Sequence, residues 1–219
     1  MKVLIGTDFH GNEAMFESFA AKAEEERAEI IVVCGDLTHF GNLTQAQHLL
    51  SVLIAARVPV LFVPGNCDPP SLVGVDIEGA KCIHGASVSY GEMTFLGVGG
   101  SPPTPFSTPF EVTEEEMLEA LNHASANLGG GRWIVLVLHT PPFNTRLDKT
   151  GRGRHVGSVS VRRFIEETKP SVVFCGHIHE AKGKDRIVNT ILVNPGPARH
   201  GDYVIALFDE YLTIEFHSL

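Results

Sequence analysis

The sequence predicts an α/β fold that starts on a parallel sheet and ends in antiparallel strands. Three observations carry this expectation. Short β-branched runs alternate with amphipathic segments through residue 63. Five apolar runs close on an acid, an amide or a histidine. From Arg186 to Phe216 the chain alternates apolar and polar residues around NPGP and DE turns, as antiparallel strands do.

The elements follow in order. MKVLIGT reads as a buried strand, and Met15, Phe16, Phe19, Ala20 and Ala23 at helical spacing make an amphipathic helix that ends in the solvated EEER run. EIIVVCG is the second strand. A second helix is expected to open at Thr44, with Gln47 three residues on, and to bury Leu49, Leu50, Leu53 and Ile54. VPVLFVPG completes two βαβ units. Lys81 to Gly99, with its short runs between Gly and Ser, reads as an antiparallel meander. SPPTPFSTPF holds four prolines in residues 101–110, which excludes helix and central strand and predicts an exposed loop. Thr113 and Glu116 form a capping box ahead of Met117, Leu118 and Leu121. The WIVLVL strand, an irregular stretch over 140–157, a helix around Val159 to Thr168 and the SVVFCG strand follow. No repeat or compositional break divides residues 1–219, so one domain is expected.

A formal charge of −9 argues against generic nucleic-acid or anionic-membrane binding, which selects basic surfaces. The four cysteines form no CxxC pair, and Cys34 and Cys175 lie inside apolar runs, as reduced buried thiols do. Asp8 interrupts the N-terminal apolar run before it could serve as a signal peptide, and no stretch approaches the ~18 apolar residues that span a bilayer. These features predict a soluble, cytoplasmic protein; self-association is left open.

The polar residues that close the apolar runs carry the chemistry. Asp8 and His10 follow the first strand, Asp36 the second, Asn66 the third, His139 the WIVLVL run, and His177 and His179 the SVVFCG run. All seven are expected just past strand C-terminal ends, the edge where ligands bind in open α/β sheets. DxH and HxH, read as strand continuations, would each point two side chains to one side. Carboxylate, imidazole and amide donors without thiolate suit Mn, Fe, Zn or Ni.

DFH, GDLTH, GNCD, LHTPP and GHIH, in that order over residues 1 to about 200, resemble the calcineurin-like metallophosphoesterase family. The resemblance implies a four-layer αββα sandwich with two mixed sheets and two divalent metal ions at the strand ends. It implies that Asp8, His10 and His179 bind one ion, that Asn66, His139 and His177 bind the other, and that Asp36 bridges them. The implied reaction is P–O hydrolysis by a metal-bridging hydroxide on a small phosphate ester. Two divalent ions, two aspartates and one hydroxide sum to +1, which favours a phosphodiester.

GNCD departs from the family pattern, in which histidine often follows the asparagine and is thought to protonate the leaving group. Cys67 is either a weak acid in that role or a small filler. Asp68, before Pro69, is expected in a turn. Arg152, Arg154 and His155 in the glycine-rich loop from Thr145 to Ser158 are candidates for phosphate contact, and Asn12 for a helix cap or a substrate oxygen. His39 is a candidate supporting residue, and His200 reads as an ordinary surface or core histidine. Two rival readings are a phosphomonoesterase or protein phosphatase on the same site, and a protein-binding scaffold of the same fold. Scaffolds of that kind have eroded ligands, whereas all seven are intact here. A nuclease fits the acidic balance poorly.

Overall fold

A computed structural model describes residues 1–126 and 131–219. β1 (Lys2–Gly6), β2 (Ile30–Val33) and β3 (Val60–Phe62) are joined by α1 (Glu13–Glu25) and α2 (Leu43–Ile54). They pair in parallel, Val3 beside Ile30 and Ile31 beside Val60, as two βαβ units require. α2 starts on Asn42 rather than Thr44. The backbone of Asn42 is extended, and its Oδ1 accepts from the Gln45 backbone N–H at 3.0 Å, so the cap falls two residues before the expected one.

β4 (Asp76–Ile77) and β5 (Ala80–Cys82) extend this sheet beyond β3, with β5 parallel to β3. The chain then crosses to a second sheet. There β6 (Ala86–Tyr90) and β7 (Met93–Val98) form an antiparallel hairpin. The expected meander over Lys81–Gly99 is therefore split between two sheets, because Cys82 still belongs to the first. α3 (Glu114–Ser125) carries the expected Thr113–Glu116 capping box. β8 (Trp133–Leu138), α4 (Val159–Thr168) and β9 (Val172–Phe174) follow, with β7, β8 and β9 parallel.

β10 (Gly183–Ile187) and β11 (Thr190–Asn194) form a hairpin whose second strand also runs parallel to β9, a pairing the alternation alone did not reveal. β12 (Asp202–Phe208) and β13 (Leu212–Ser218) return to the first sheet, antiparallel to β1 and to each other. The strand orders are β13-β12-β1-β2-β3-β5-β4 and β10-β11-β9-β8-β7-β6.

The burial pattern makes this an αββα sandwich. Leu4, Ile31 and Val33 face α1 and α2, packing with Phe16, Phe19, Leu49 and Leu53. Their neighbours Val3, Ile30 and Val32 point the other way, into a layer shared with Phe95, Val137 and Phe174 of the second sheet. Leu136 and Val173 face Met117, Leu121, Phe164 and Ile165 of α3 and α4. Successive strand residues alternate faces, and here both faces are buried, which is why the central strands read as unbroken apolar runs.

Candidate metal centre

The loops that leave β1, β2, β3, β8 and β9 meet at one edge of the sandwich. Asp8 N–H donates to the Gly35 carbonyl at 3.0 Å, His10 N–H to the Asp36 carbonyl at 2.9 Å, and Gly176 N–H to the His139 carbonyl at 2.9 Å. Asp8, His10, Asp36 and His177 all hold φ between 49° and 69°. A left-handed backbone costs a non-glycine residue roughly 1–2 kcal/mol, so four of them together mark a place where geometry outweighs comfort. It also corrects the strand reading of DxH and HxH. These pairs converge through tight turns past the strand ends, and not through strand alternation. Gly35, at φ +91°, is needed in its turn because a Cβ there would lie 2.5 Å from His139 Nδ1.

Two groups of donor atoms result. In the first, His179 Nε2 lies 3.2 Å from Asp8 Oδ1 and 3.1 Å from His10 Nε2. In the second, His139 Nε2 lies 2.9 Å from Asn66 Oδ1, and the His177 ring packs against the His139 ring with centroids 5.0 Å apart. Asp36 stands between them, with Oδ2 3.5 Å from His10 Nε2 and Oδ1 3.5 Å from His139 Nε2.

This donor set fits cations. His139 Nδ1 lies 2.8 Å from the Cys34 carbonyl, which fixes a ring hydrogen there and turns Nε2 toward the Asn66 carbonyl oxygen. Burial opposes charging of this ring, but the Asp36 and Asp8 carboxylates raise it, so at 2.9 Å from the Asn66 oxygen Nε2 carries either a hydrogen donated to that oxygen or a cation drawing on both atoms. His10 Nε2 and His179 Nε2 also face each other at 3.1 Å, a separation that either a shared hydrogen or a cation can bridge. Asp8, His10 and His179, and separately Asp8, Asp36 and His139, each bring donor atoms within 4.8 Å of one another and could hold a metal ion.

Residues 1–181 match the model of the calcineurin-like phosphoesterase family. The chain belongs to this family. It is 39% identical over 208 residues to an uncharacterised protein of Methanocaldococcus jannaschii, covering 93% of this chain and 91% of that one. It is 28% identical to a probable cyclic nucleotide phosphodiesterase of Rhodopseudomonas palustris, over 73% of this chain and 60% of the other. Among solved structures it is similar to TT1561 of Thermus thermophilus, with a TM-score of 0.78 at 20% identity and coverage of 99% and 98%.

Electrostatics in this phosphoesterase follow from burial and crowding. Burial works against ionisation of Asp8, but the bond to His179 and the nearby imidazoles hold its carboxyl well below the usual range. Asp36 is pushed upward by burial and by the Asp8 and Asp68 carboxylates, against the pull of His139. Burial lowers His10 to about 4 and His177 to about 3, which leaves both rings neutral at pH 7, the form that binds metal.

Other sequence candidates take varied places. Cys67 is buried and donates its backbone N–H to Asp36 Oδ1 at 2.8 Å. Asn12 heads α1 without a capping bond; its amide donates to the Arg199 carbonyl at 3.4 Å instead. His155 bonds to Asp148 Oδ1 at 2.7 Å, while Arg152 and Arg154 are exposed. Gly151 N–H donates to Glu180 Oε1 at 2.7 Å, which ties this loop beside the His179 turn without bringing Arg152, Arg154 or His155 into the cavity described below.

Three residues contribute more than the sequence reading gave them. Asp68, expected in a simple turn, is fully buried and accepts from the backbone N–H groups of Leu37, Thr38 and Gly65 and from the Thr38 hydroxyl. It locks the Asp36 loop to the Asn66 loop. Arg199 and His200 line a cavity of about 400 Å³ with Phe9, His10, Asn12 and His39. Neither has a motif of its own, so only the return of β12 beside β1 brings them there.

Proposed function

We propose that the chain is a dinuclear metal-dependent phosphodiesterase acting on small phosphate esters. One observation carries this reading. The two oxygens of Asp36 face two separate donor groups at equal 3.5 Å distances, the arrangement that a bridging carboxylate needs. Asp8, His10 and His179 would hold one ion, Asn66, His139 and His177 the other, with Asp36 shared. Divalent ions such as Mn, Fe, Zn or Ni at these positions would activate water and neutralise charge on the phosphoryl oxygens.

The residues themselves supply rigidity and exclusion of bulk water. Asp36 is held by the Cys67 N–H, His139 by the Cys34 carbonyl, and Asp8 Oδ2 by the Thr7 hydroxyl at 2.9 Å and the His177 N–H at 3.1 Å. Asp8, Asp36, Asn66 and His139 are each no more than 5% exposed. Such a preorganised set keeps its geometry while charge shifts on the substrate. Similarity to the probable cyclic nucleotide phosphodiesterase supports diesters over monoesters.

The test is metal analysis of purified protein followed by assays of aryl diesters and monoesters across a divalent-metal panel. Metal-dependent turnover with diesters preferred is expected. A steady monoester preference would select the phosphatase alternative, and full metal occupancy without hydrolysis of either class would select a binding scaffold.

A further inference from the structure

The cavity beside the Asp8–His10–His179 group is lined by Phe9, His10, Asn12, His39, Arg199 and His200 and has a volume of about 400 Å³, enough for a phosphate ester with one substituent. Among the described residues that line it, Arg199 is the only permanent cation. Its position is fixed from the backbone: its N–H donates to the Asp8 carbonyl at 3.2 Å, and its carbonyl accepts from Asn12. Its guanidinium is under-used. Nη2 lies 3.1 Å from His179 Nδ1, and the buried Nε has no partner among the described residues. A guanidinium presents five N–H donors in a fixed fork, and a buried N–H without a partner costs free energy that an incoming acceptor recovers.

We propose that Arg199 is a phosphoryl-binding residue that grips a non-bridging oxygen of the substrate through its Nε–Nη2 edge. The inference rests on the phosphoesterase reading of the adjoining centre. Its physical basis is the shared histidine. When His179 ligates through Nε2, its ring hydrogen resides on Nδ1, which then cannot accept from Arg199. The Nε–Nη2 edge is then left without an acceptor in a residue that lines the cavity. A phosphoryl group offers two or three acceptor oxygens with the spacing that an arginine fork matches, which a lysine ammonium does not.

Inorganic phosphate is the probe. It is titrated by calorimetry into metal-loaded wild type, Arg199→Lys and Arg199→Ala, with metal content measured on each sample and folding checked by circular dichroism. Arg199→Ala is expected to bind phosphate at least tenfold more weakly with metal content unchanged, Arg199→Lys to recover part of the loss, and KM for a diester to rise more than kcat falls. Unchanged phosphate affinity in a metal-loaded Arg199→Ala protein would overturn the assignment while leaving the phosphoesterase reading intact. Loss of metal in a folded Arg199→Lys protein would also overturn it, since Arg199 would then act through His179 alone. A wild type that takes up no metal would count against the phosphoesterase reading; Arg199-dependent phosphate binding would still support the clamp, and Arg199-independent or absent binding would overturn it.

Discussion

Cys67 touches its surroundings mainly through its backbone. Its N–H holds Asp36, while its thiol, which accepts from the Asn66 amide at 3.5 Å, is pushed far upward by burial and by the Asp36 carboxylate. A thiol so placed is a poor proton donor, and any side chain of similar size keeps the backbone contact. Cys67→Ser should therefore hold both metal and kcat within about threefold of wild type, and the rate should depend as steeply on leaving-group pKa in the variant as in wild type. A series of graded aryl diesters checks this; a slope that steepens only in Cys67→Ser would show that the thiol supplies the proton. Asp68 is the opposite case. Removing its carboxylate strands three backbone N–H groups in a buried place, so Asp68→Ala should lower stability by on the order of 3 kcal/mol, measured by urea unfolding. GNCD announced Asn66 as a candidate. It did not announce the work of Asp68, because a hydrogen-bond acceptor that serves another loop leaves no local pattern.

At the scale of elements, the strands were legible because both of their faces are buried, and α3 and α4 because their caps are local. What the sequence could not supply was the pairing of β5 with β3 and of β11 with β9, both fixed by contacts between distant segments. Loop positions were hidden for the same reason. The arginine loop hangs from Glu180 beside the His179 turn with Arg152 and Arg154 exposed, so these charges can attract a phosphate ester without touching the chemistry. The double variant Arg152→Ala/Arg154→Ala should raise KM more than it lowers kcat, an effect that added salt should mask; steady-state kinetics at two ionic strengths reads it. The proline-rich loop is held by Glu111, which accepts from the Thr104 hydroxyl at 2.6 Å and from the Thr108 N–H and hydroxyl, both at 2.8 Å. Burial opposes ionisation of Glu111, but these bonds prevail and lower it to about 2 from 4.5. Because the folded value is the lower one, its contribution is complete above pH 4.5 and is lost as pH falls toward 2. Glu111→Gln at neutral pH should imitate that loss, seen as faster proteolysis within residues 101–111 and no change in the global unfolding midpoint beyond about 1 °C.

Across the whole molecule, the inter-sheet layer sets the distance between the two halves of the centre. Asp8, His10, Asp36 and Asn66 ride on the first sheet, and His139, His177 and His179 on the second, with Phe174 fully buried between the sheets. Phe174→Ala should cost about 3–5 kcal/mol in stability. It should also weaken metal retention, since the two sets of candidate ligands lose their common wedge; chelator-induced metal loss followed over time reports this separately from unfolding. The order of the five motifs along the chain made the candidate site legible before the fold was, whereas Arg199 and His200 became visible only when the last hairpin closed beside β1. The central claim is that Asp36 joins two ions. Metal content of folded wild type and Asp36→Asn, measured by inductively coupled plasma mass spectrometry alongside native mass spectrometry, tests it most directly. The account predicts two divalent ions per chain in wild type, and in Asp36→Asn a loss of at least one ion together with most of the diester turnover. Two ions and full turnover in Asp36→Asn would contradict it.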